Sequence, residues 1–172
     1  LLLTGEISFG QQAFFAIGAY AAGIATAMWG WTLIGALGFG AVAGALAAAL
    51  VGLPTLRLHG LYFAIATLAF AEMVRILFEM FRYRKDVDGE LIGPDGADGF
   101  GNIRYIFEND ISGVEFMLII YGLLFVTLLG FMLLERSRLG VTFRMIGADE
   151  TLAAMQGIAV ARHRILAAAM AG

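Results

Sequence analysis

The 172-residue sequence contains no cysteine, and only 15% of its residues are charged. Without cysteine no disulfide can form, and cysteine usage gives no information about the redox compartment. In soluble domains about a quarter of the residues are charged. Here, in addition to the low charge, 60% of the residues are hydrophobic and the mean hydropathy is +0.85. This composition is that of a membrane protein. The net charge of −3 comes without a cluster of basic residues, which gives no support to a nucleic-acid partner.

The sequence also lacks the motifs of nucleotide-dependent and metal-dependent chemistry. It has no G-x-x-x-x-G-K-[ST] phosphate-binding loop, so we expect no ATP binding by that route. His59 and His163 have no histidine or cysteine at ligand spacing. The acidic stretch that begins at Asp86 has Gly89 too early for an EF-hand calcium loop. We therefore expect no enzyme, no cofactor and no metal site.

Four apolar segments are long enough to cross a bilayer as helices. They comprise residues 13–30, 32–53, 61–81 and 116–134. None alternates with a period of two, and Ala, Leu and Gly dominate, which favours helices over a β-barrel. A further apolar run starts at residues 165–172 but rises only about 12 Å as a helix. We therefore predict an all-α, polytopic transmembrane helical bundle and expect the sequence to be cut from a longer chain at both ends.

The charge of the loops predicts an orientation. Residues 135–164 carry five arginines against three acidic residues, which by the positive-inside rule places this loop in the cytoplasm. Residues 82–113 then form an extracytoplasmic loop, with four basic and seven acidic residues. This long loop is either a docking surface for a soluble partner or a set of solvated turns.

The second segment carries small residues at every fourth position, and these predict a face for close helix contact. They are Ala36, Gly40, Gly44, Ala48 and Gly52. The partner helix lies either in this chain or in a second subunit.

The third segment carries charges within the predicted span. Glu72, Arg75, Glu79 and Arg82 follow at steps of three, four and three, which places them on one helical face with alternating sign. Ionisable groups at this depth must be paired or wet, so the face is expected to point into the bundle. Two interpretations stay open: a lining of the substrate route or its gate, and a self-neutralising ladder that locks two helices.

Local sequence signals predict a short capped helix in one stretch and an interruption between helices in another. Asp149 can cap a helix of about two turns, in which Glu150 lies in the first turn and Gly157 supplies a left-handed end. Met145, Ala148, Leu152 and Met155 are predicted to form one apolar stripe, by which this helix packs on a neighbour. Near the start of the chain, Ser8, Gly10, Gln11 and Gln12 predict an interruption between helices, either at the interface or within the membrane.

Five stretches resemble a known family. Residues 150–158, E-T-L-A-A-M-Q-G-I, resemble the coupling-helix motif of ABC importer membrane subunits, although an ordinary amphipathic loop helix is the alternative. Ser137-Arg138-Leu139-Gly140 precedes this motif, and residues 7–20, I-S-F-G-Q-Q-A-F-F-A-I-G-A-Y, precede both. Together they resemble the permease subunits of branched-chain amino acid importers. Residues 67–72 and the Gly/Asp run 93–101 are similar to the same family.

The resemblance implies a function and a set of partners. It implies a multi-pass permease subunit of the bacterial inner membrane that translocates branched-chain amino acids. The implied partners are a homologous second permease subunit, two cytoplasmic ATP-binding subunits, an extracytoplasmic substrate-binding protein and membrane lipid. The residues expected to couple to the ATPases are Arg144, Asp149, Glu150, Ala153, Ala154 and Gly157. Those expected at the helix break or along the translocation path are Ser8, Gly10, Gln11, Gln12, Glu72 and Arg75.

Other functions are also compatible with the sequence. Within the same family, urea or short amides are rival substrates. An ion-coupled secondary transporter would have similar spans, and a scaffold protein of the membrane would carry no substrate.

Overall fold

The computed structural model describes residues 8–55, 58, 60–87, 90–101, 105 and 109–171. Ile7, His59 and Gly89, which entered the predictions above, lie outside these residues. Within them the chain forms α1 (Gln11–Ala27), α2 (Leu33–Thr55), α3 (Leu61–Met80), α4 (Gly113–Arg136), α5 (Arg138–Ala148), α6 (Glu150–Met155) and α7 (Val160–Ala171). The predicted all-α fold class is confirmed.

A small antiparallel sheet interrupts the helices and was not predicted. Its strands are β1 (Lys85–Val87), β2 (Glu90–Pro94) and β3 (Phe100–Gly101), in the order β1-β2-β3. Lys85 pairs with Ile92, and Gly93 pairs with Gly101. A 3₁₀ turn (Gly96–Asp98) joins β2 to β3. The sheet forms within the loop because Gly93, Gly96 and Gly99 adopt positive φ angles that other residues rarely take.

The small residues of α2 form its buried face, as their spacing predicts. All five positions from Ala36 to Gly52 in this series are buried. A Cβ on Gly40 would lie 2.5 Å from the carbonyl oxygen of Gly18 in α1, and one on Gly52 would lie 3.2 Å from the Cβ of Ala168 in α7. The partner helices of this face therefore belong to the same chain.

In the part of the chain that the structure describes, three helices are long and apolar enough to cross a membrane: Leu33–Gly52 within α2, Leu61–Met80 and Gly113–Arg136. They overlap three of the four predicted spans, and that these helices cross the membrane stays a prediction. The fourth, at residues 13–30, corresponds to α1, whose 17 residues rise about 25 Å. No residue of α4 is buried against the described part of the chain.

The connections between helices collect at two ends. At one end, the Lys85 ammonium lies 3.5 Å from the carbonyl oxygen of Met28, and Phe100 lies against Gly23. At the other end, Arg164 contacts the backbone of Leu58. The Trp29–Trp31 turn therefore lies at the same end as the acidic loop, and Leu58 lies at the other end. Which end faces the cytoplasm stays a prediction.

Candidate functional site

The short helix α6 has the two ends that the sequence predicts. The Asp149 carboxylate accepts hydrogen bonds from the backbone N–H groups of Thr151, at 2.8 Å, and Leu152, at 3.0 Å. At the other end Gly157 has a φ of +82°. Its N–H donates to the Ala154 carbonyl, while the N–H of Ile158 donates to that of Ala153. These two bonds form a Schellman motif, so both ends of α6 are closed by local hydrogen bonds.

The predicted apolar stripe along this segment is wrong. Met145 and Ala148 belong to α5, because Asp149 is extended, with φ −158° and ψ +109°, and separates α5 from α6. Leu152 is 58% exposed and Met155 is 79% exposed. The residue of α6 that is buried is Ala153. The helix therefore packs on the bundle through one small side chain and presents its larger apolar side chains outward.

A tight turn between α4 and α5 explains the Ser137-Arg138-Leu139-Gly140 motif. The Ser137 hydroxyl donates to the Leu134 carbonyl at 2.6 Å and accepts from the Gly140 N–H at 3.4 Å. A Cβ on Gly140 would lie 2.5 Å from the carbonyl oxygens of Leu134 and Glu135. Only glycine fits this close approach of two helices.

Arg144 lies on α5 and binds this turn. Its guanidinium donates to the Glu135 carbonyl and lies 3.5 Å from that of Gly140. A cation is favoured there because the carbonyls at the end of α4 carry the negative pole of the helix dipole. The structure thus gives Arg144 a position one helix away from Glu150, Ala153 and Ala154.

Glu150 joins α6 to α7. Its carboxylate lies 3.4 Å from the guanidinium of Arg164, whose side chain is 7% exposed. A second Arg164 nitrogen donates to the Leu58 carbonyl at 3.2 Å. Burial lowers the pKa of Arg164 from its ordinary value, yet an arginine so far above neutrality stays charged in proteins. In the sequence Arg164 stands out only as one of five arginines in a basic stretch, and no local signal identifies it, because its main backbone partner Leu58 is 106 positions away.

The predicted interruption near the start of the chain lies beside Thr67 of α3. α1 begins at Gln11, and the Phe9 N–H donates to the buried Thr67 hydroxyl at 3.1 Å. The Gly10 N–H lies 3.2 Å from the Ser8 hydroxyl. Thr67 is six residues beyond the first residue of α3, or about 9 Å along the helix. The start of α1 therefore lies further into the helical bundle than the first residue of α3. The sequence alone could not show this relative depth.

The charged face of α3 is shorter than the sequence predicts. Arg75 lies between Glu72, with an Nε–Oε2 distance of 2.9 Å, and Glu79 on the same helix. Among the described residues both partners of Arg75 lie on α3 itself, and the two interpretations of this face, substrate route or structural ladder, stay predictions. Arg82 lies beyond the end of α3 and pairs through its backbone with Asp95. The side chains of Glu72, Arg75 and Glu79 are about half exposed.

A cavity of about 410 Å³ lies between α1, α3 and the 3₁₀ turn. It brings Gln12 of α1 together with Glu72, Arg75 and Glu79 of α3. Its other wall is aromatic and apolar, with Tyr20 and Phe78 stacked at a ring distance of 4.1 Å. Ser8 and Gly10 do not line it, and Gln11 is exposed outside it. Pockets for small molecules combine an apolar lining with a few polar groups in this way.

Comparisons with known proteins give consistent results. A family model described as branched-chain amino acid transport system, permease component matches residues 1–172. Two relatives carry the name high-affinity branched-chain amino acid transport system permease protein LivM. The one from Escherichia coli (strain K12) is 37% identical over 120 residues, and the one from Salmonella typhimurium (strain LT2) is 36% identical over 117 residues. Each match covers 66% of this chain and 24% of the relative, so the chain spans about a quarter of their length. No solved structure matches the chain.

Proposed function

The chain belongs to the family of permease components of branched-chain amino acid transport systems, and we propose that it forms part of the membrane subunit of an ATP-driven importer. The family predicted from residues 7–20 and 137–158 is thereby confirmed. Its apolar helices and its relatives identify a membrane protein. The proposed location is the bacterial inner membrane, which the chain crosses several times.

The observation that carries this proposal is the form of α6. The helix is short, closed at both ends, and attached to the bundle through Ala153 and Glu150. Leu152, Ala154 and Met155 remain exposed. A helix of six residues is marginal in water unless it is packed and capped. An exposed apolar face on such a helix suits a groove in a cytoplasmic ATPase, and a rigid helix can transmit displacement to the spans as a body.

The proposed complex contains a homologous second permease subunit, two cytoplasmic ATP-binding subunits and an extracytoplasmic substrate-binding protein. The described residues offer one candidate binding surface for the ATP-binding subunits and one for the substrate-binding protein. α6 lies at the end of the bundle near Leu58, and the sheet β1–β3 lies at the opposite end near Met28.

The substrate route is proposed to follow the charged face of α3. Glu72 and Arg75 line the cavity with Gln12, close to the start of α1. A helix that starts within the membrane is tolerated where it lines a wet path, and transporters use such breaks at substrate sites. The wall of Tyr20 and Phe78 would receive an aliphatic side chain, and the charged wall would receive the polar end of an amino acid.

The test is uptake by the full-length permease reconstituted in proteoliposomes with its candidate ATPase and binding-protein partners. We expect leucine uptake that requires internal ATP and persists when ion gradients are dissipated. Uptake that follows the ion gradient without ATP would identify a secondary transporter. Uptake of urea or acetamide in preference to leucine would assign the rival substrates.

A single variant tests α6 itself. Ala154→Arg places a charge on the exposed face of α6, whereas Ala161→Arg places the same side chain at an exposed position of α7. We expect Ala154→Arg to lower uptake per ATP hydrolysed by about fivefold or more, the lower range of allosteric coupling. Ala161→Arg is the matched control and should behave as the parent. Unchanged coupling in Ala154→Arg would refute the proposed docking of α6.

A further inference from the structure

Arg164 is a buried charged residue that contacts two separate segments of the chain. It lies near the start of α7, and its guanidinium is shared between the Glu150 carboxylate of α6 and the Leu58 carbonyl. Leu58 lies between α2 and α3, and 106 positions separate it from Arg164. Arg162, two residues earlier on α7, is exposed.

Arginine is suited to this arrangement by its geometry. The guanidinium is a planar fork with several N–H donors, so it can bind a carboxylate and a carbonyl at once in fixed directions. Lysine carries the same charge on a flexible stem and lacks the fork. A charge that is 7% exposed must keep its partners, because a buried charge without them is strongly unfavourable.

The contacts of α7 lead from α6 to two spans. Arg164 holds the Leu58 backbone, which precedes the first residue of α3 at Leu61. One turn further along α7, Ala168 lies against Gly52 near the same end of α2. A displacement of α6 would therefore reach α3 through Leu58 and α2 through Gly52.

We propose that Arg164 is a positioning residue that fixes α6 to the Leu58 backbone, so that α6 and the adjoining ends of α2 and α3 move as one body. The proposal rests on the proposed coupling role of α6. It adds the path by which a push on α6 arrives at the helix that carries Glu72 and Arg75.

The first experiment measures the connection without transport. Spin labels on cysteines introduced at Gln156 and Leu61, both exposed, report the distance between the end of α6 and the start of α3. The 172-residue sequence contains no cysteine, so it adds no further site for the label. In the full-length permease we expect one narrow distance, retained in Arg162→Lys and lost to a broad distribution in Arg164→Lys. A narrow distance in Arg164→Lys would overturn the proposal.

The second experiment measures coupling in the reconstituted importer. Arg164→Lys should raise the ATP hydrolysed per amino acid taken up by about fivefold or more, while Arg162→Lys leaves this ratio unchanged. Hydrolysis and uptake that fall in proportion at normal assembly would indicate a structural role only, and would overturn the proposal.

A third variant covers the case in which Arg164→Lys does not assemble. Glu150→Gln keeps the size of the side chain and removes its charge, and Glu150 is partly exposed. It should broaden the label distance and raise the ATP ratio, and an unchanged distance with an unchanged ratio would overturn the proposal. If the parent complex takes up no amino acid with ATP, the proposed function fails, and the label distances still decide the role of Arg164.

Discussion

Gly40 and Gly38 of α2 differ in one respect, the space beside them. A Cβ on Gly40 would lie 2.5 Å from the carbonyl oxygen of Gly18 and 3.1 Å from the Cβ of Ala22, both in α1. A Cβ on Gly38 would meet nothing within 4 Å in the described residues. Replacing each glycine by alanine therefore tests the contact between α1 and α2 against a matched control on the same helix.

The expected difference follows from two opposing effects. Alanine in a helix interior is favoured over glycine by about 0.5–1 kcal/mol, and this gain applies to both positions. Inserting a methyl group into a well-packed contact costs about 1–3 kcal/mol. This cost applies at Gly40, because the clash is with backbone that cannot rotate away. The unfolding free energy of Gly40→Ala should therefore lie about 1–3 kcal/mol below that of Gly38→Ala.

The measurement is unfolding of the permease in mixed micelles of dodecyl maltoside with increasing dodecyl sulfate. Trp29 and Trp31 lie in the turn that joins α1 to α2, with ring centroids 5.8 Å apart, and their fluorescence reports separation of the two helices. We expect Gly38→Ala to be as stable as the parent or slightly more stable. If Gly40→Ala proved equally stable, the close approach of α1 and α2 would be refuted.

Three further predictions concern the proposed sites. Gly157→Val should reduce uptake per ATP more than Gly157→Asn, since a φ of +82° strains most side chains by about 1–2 kcal/mol but suits asparagine; equal uptake in proteoliposomes would contradict this. Asp149→Ala should remove a cap worth about 0.5–2 kcal/mol and speed hydrogen exchange at the amides of Thr151 and Leu152, whereas Asp149→Ser should preserve protection. If all three proteins exchange alike, the cap has no role. Glu72→Ala should change the apparent affinity for leucine at normal abundance, because Glu72 is half exposed and pairs within its own helix; low abundance with unchanged affinity would instead assign it a structural role.

Much of α6 could be predicted from sequence because its ends depend on residues within one turn. Asp149 binds N–H groups two and three residues ahead, and Gly157 follows the last turn with a positive φ. These interactions are local, so the residue types and their spacing are sufficient. The apolar stripe was predicted wrongly because it assumed one continuous helix, whereas the extended backbone of Asp149 divides the segment in two.

The charged face of α3 shows the same limit. Helical spacing placed Glu72, Arg75 and Glu79 together, and the structure confirms their pairing. The end of the helix at Met80 removed Arg82 from the series, and the position of α1 decided that Gln12 and Tyr20 face these charges. Helix ends are the least certain part of a sequence pattern, and neighbouring helices cannot be assigned from it.

The sequence alone determined that the chain is a helical membrane protein, that α2 has a contact face of small residues, and that a capped helix follows Ser137-Arg138-Leu139-Gly140. Periodicity and caps act over one or two turns, and residue types are sufficient to specify them. Tertiary structure decided that α1 and α7 are the partners of the α2 face, that α1 starts beside Thr67, and that Arg164 reaches Leu58. The contacts Phe9–Thr67 and Arg164–Leu58 join residues 58 and 106 positions apart in the chain, and only the packed arrangement of the helices brings them together.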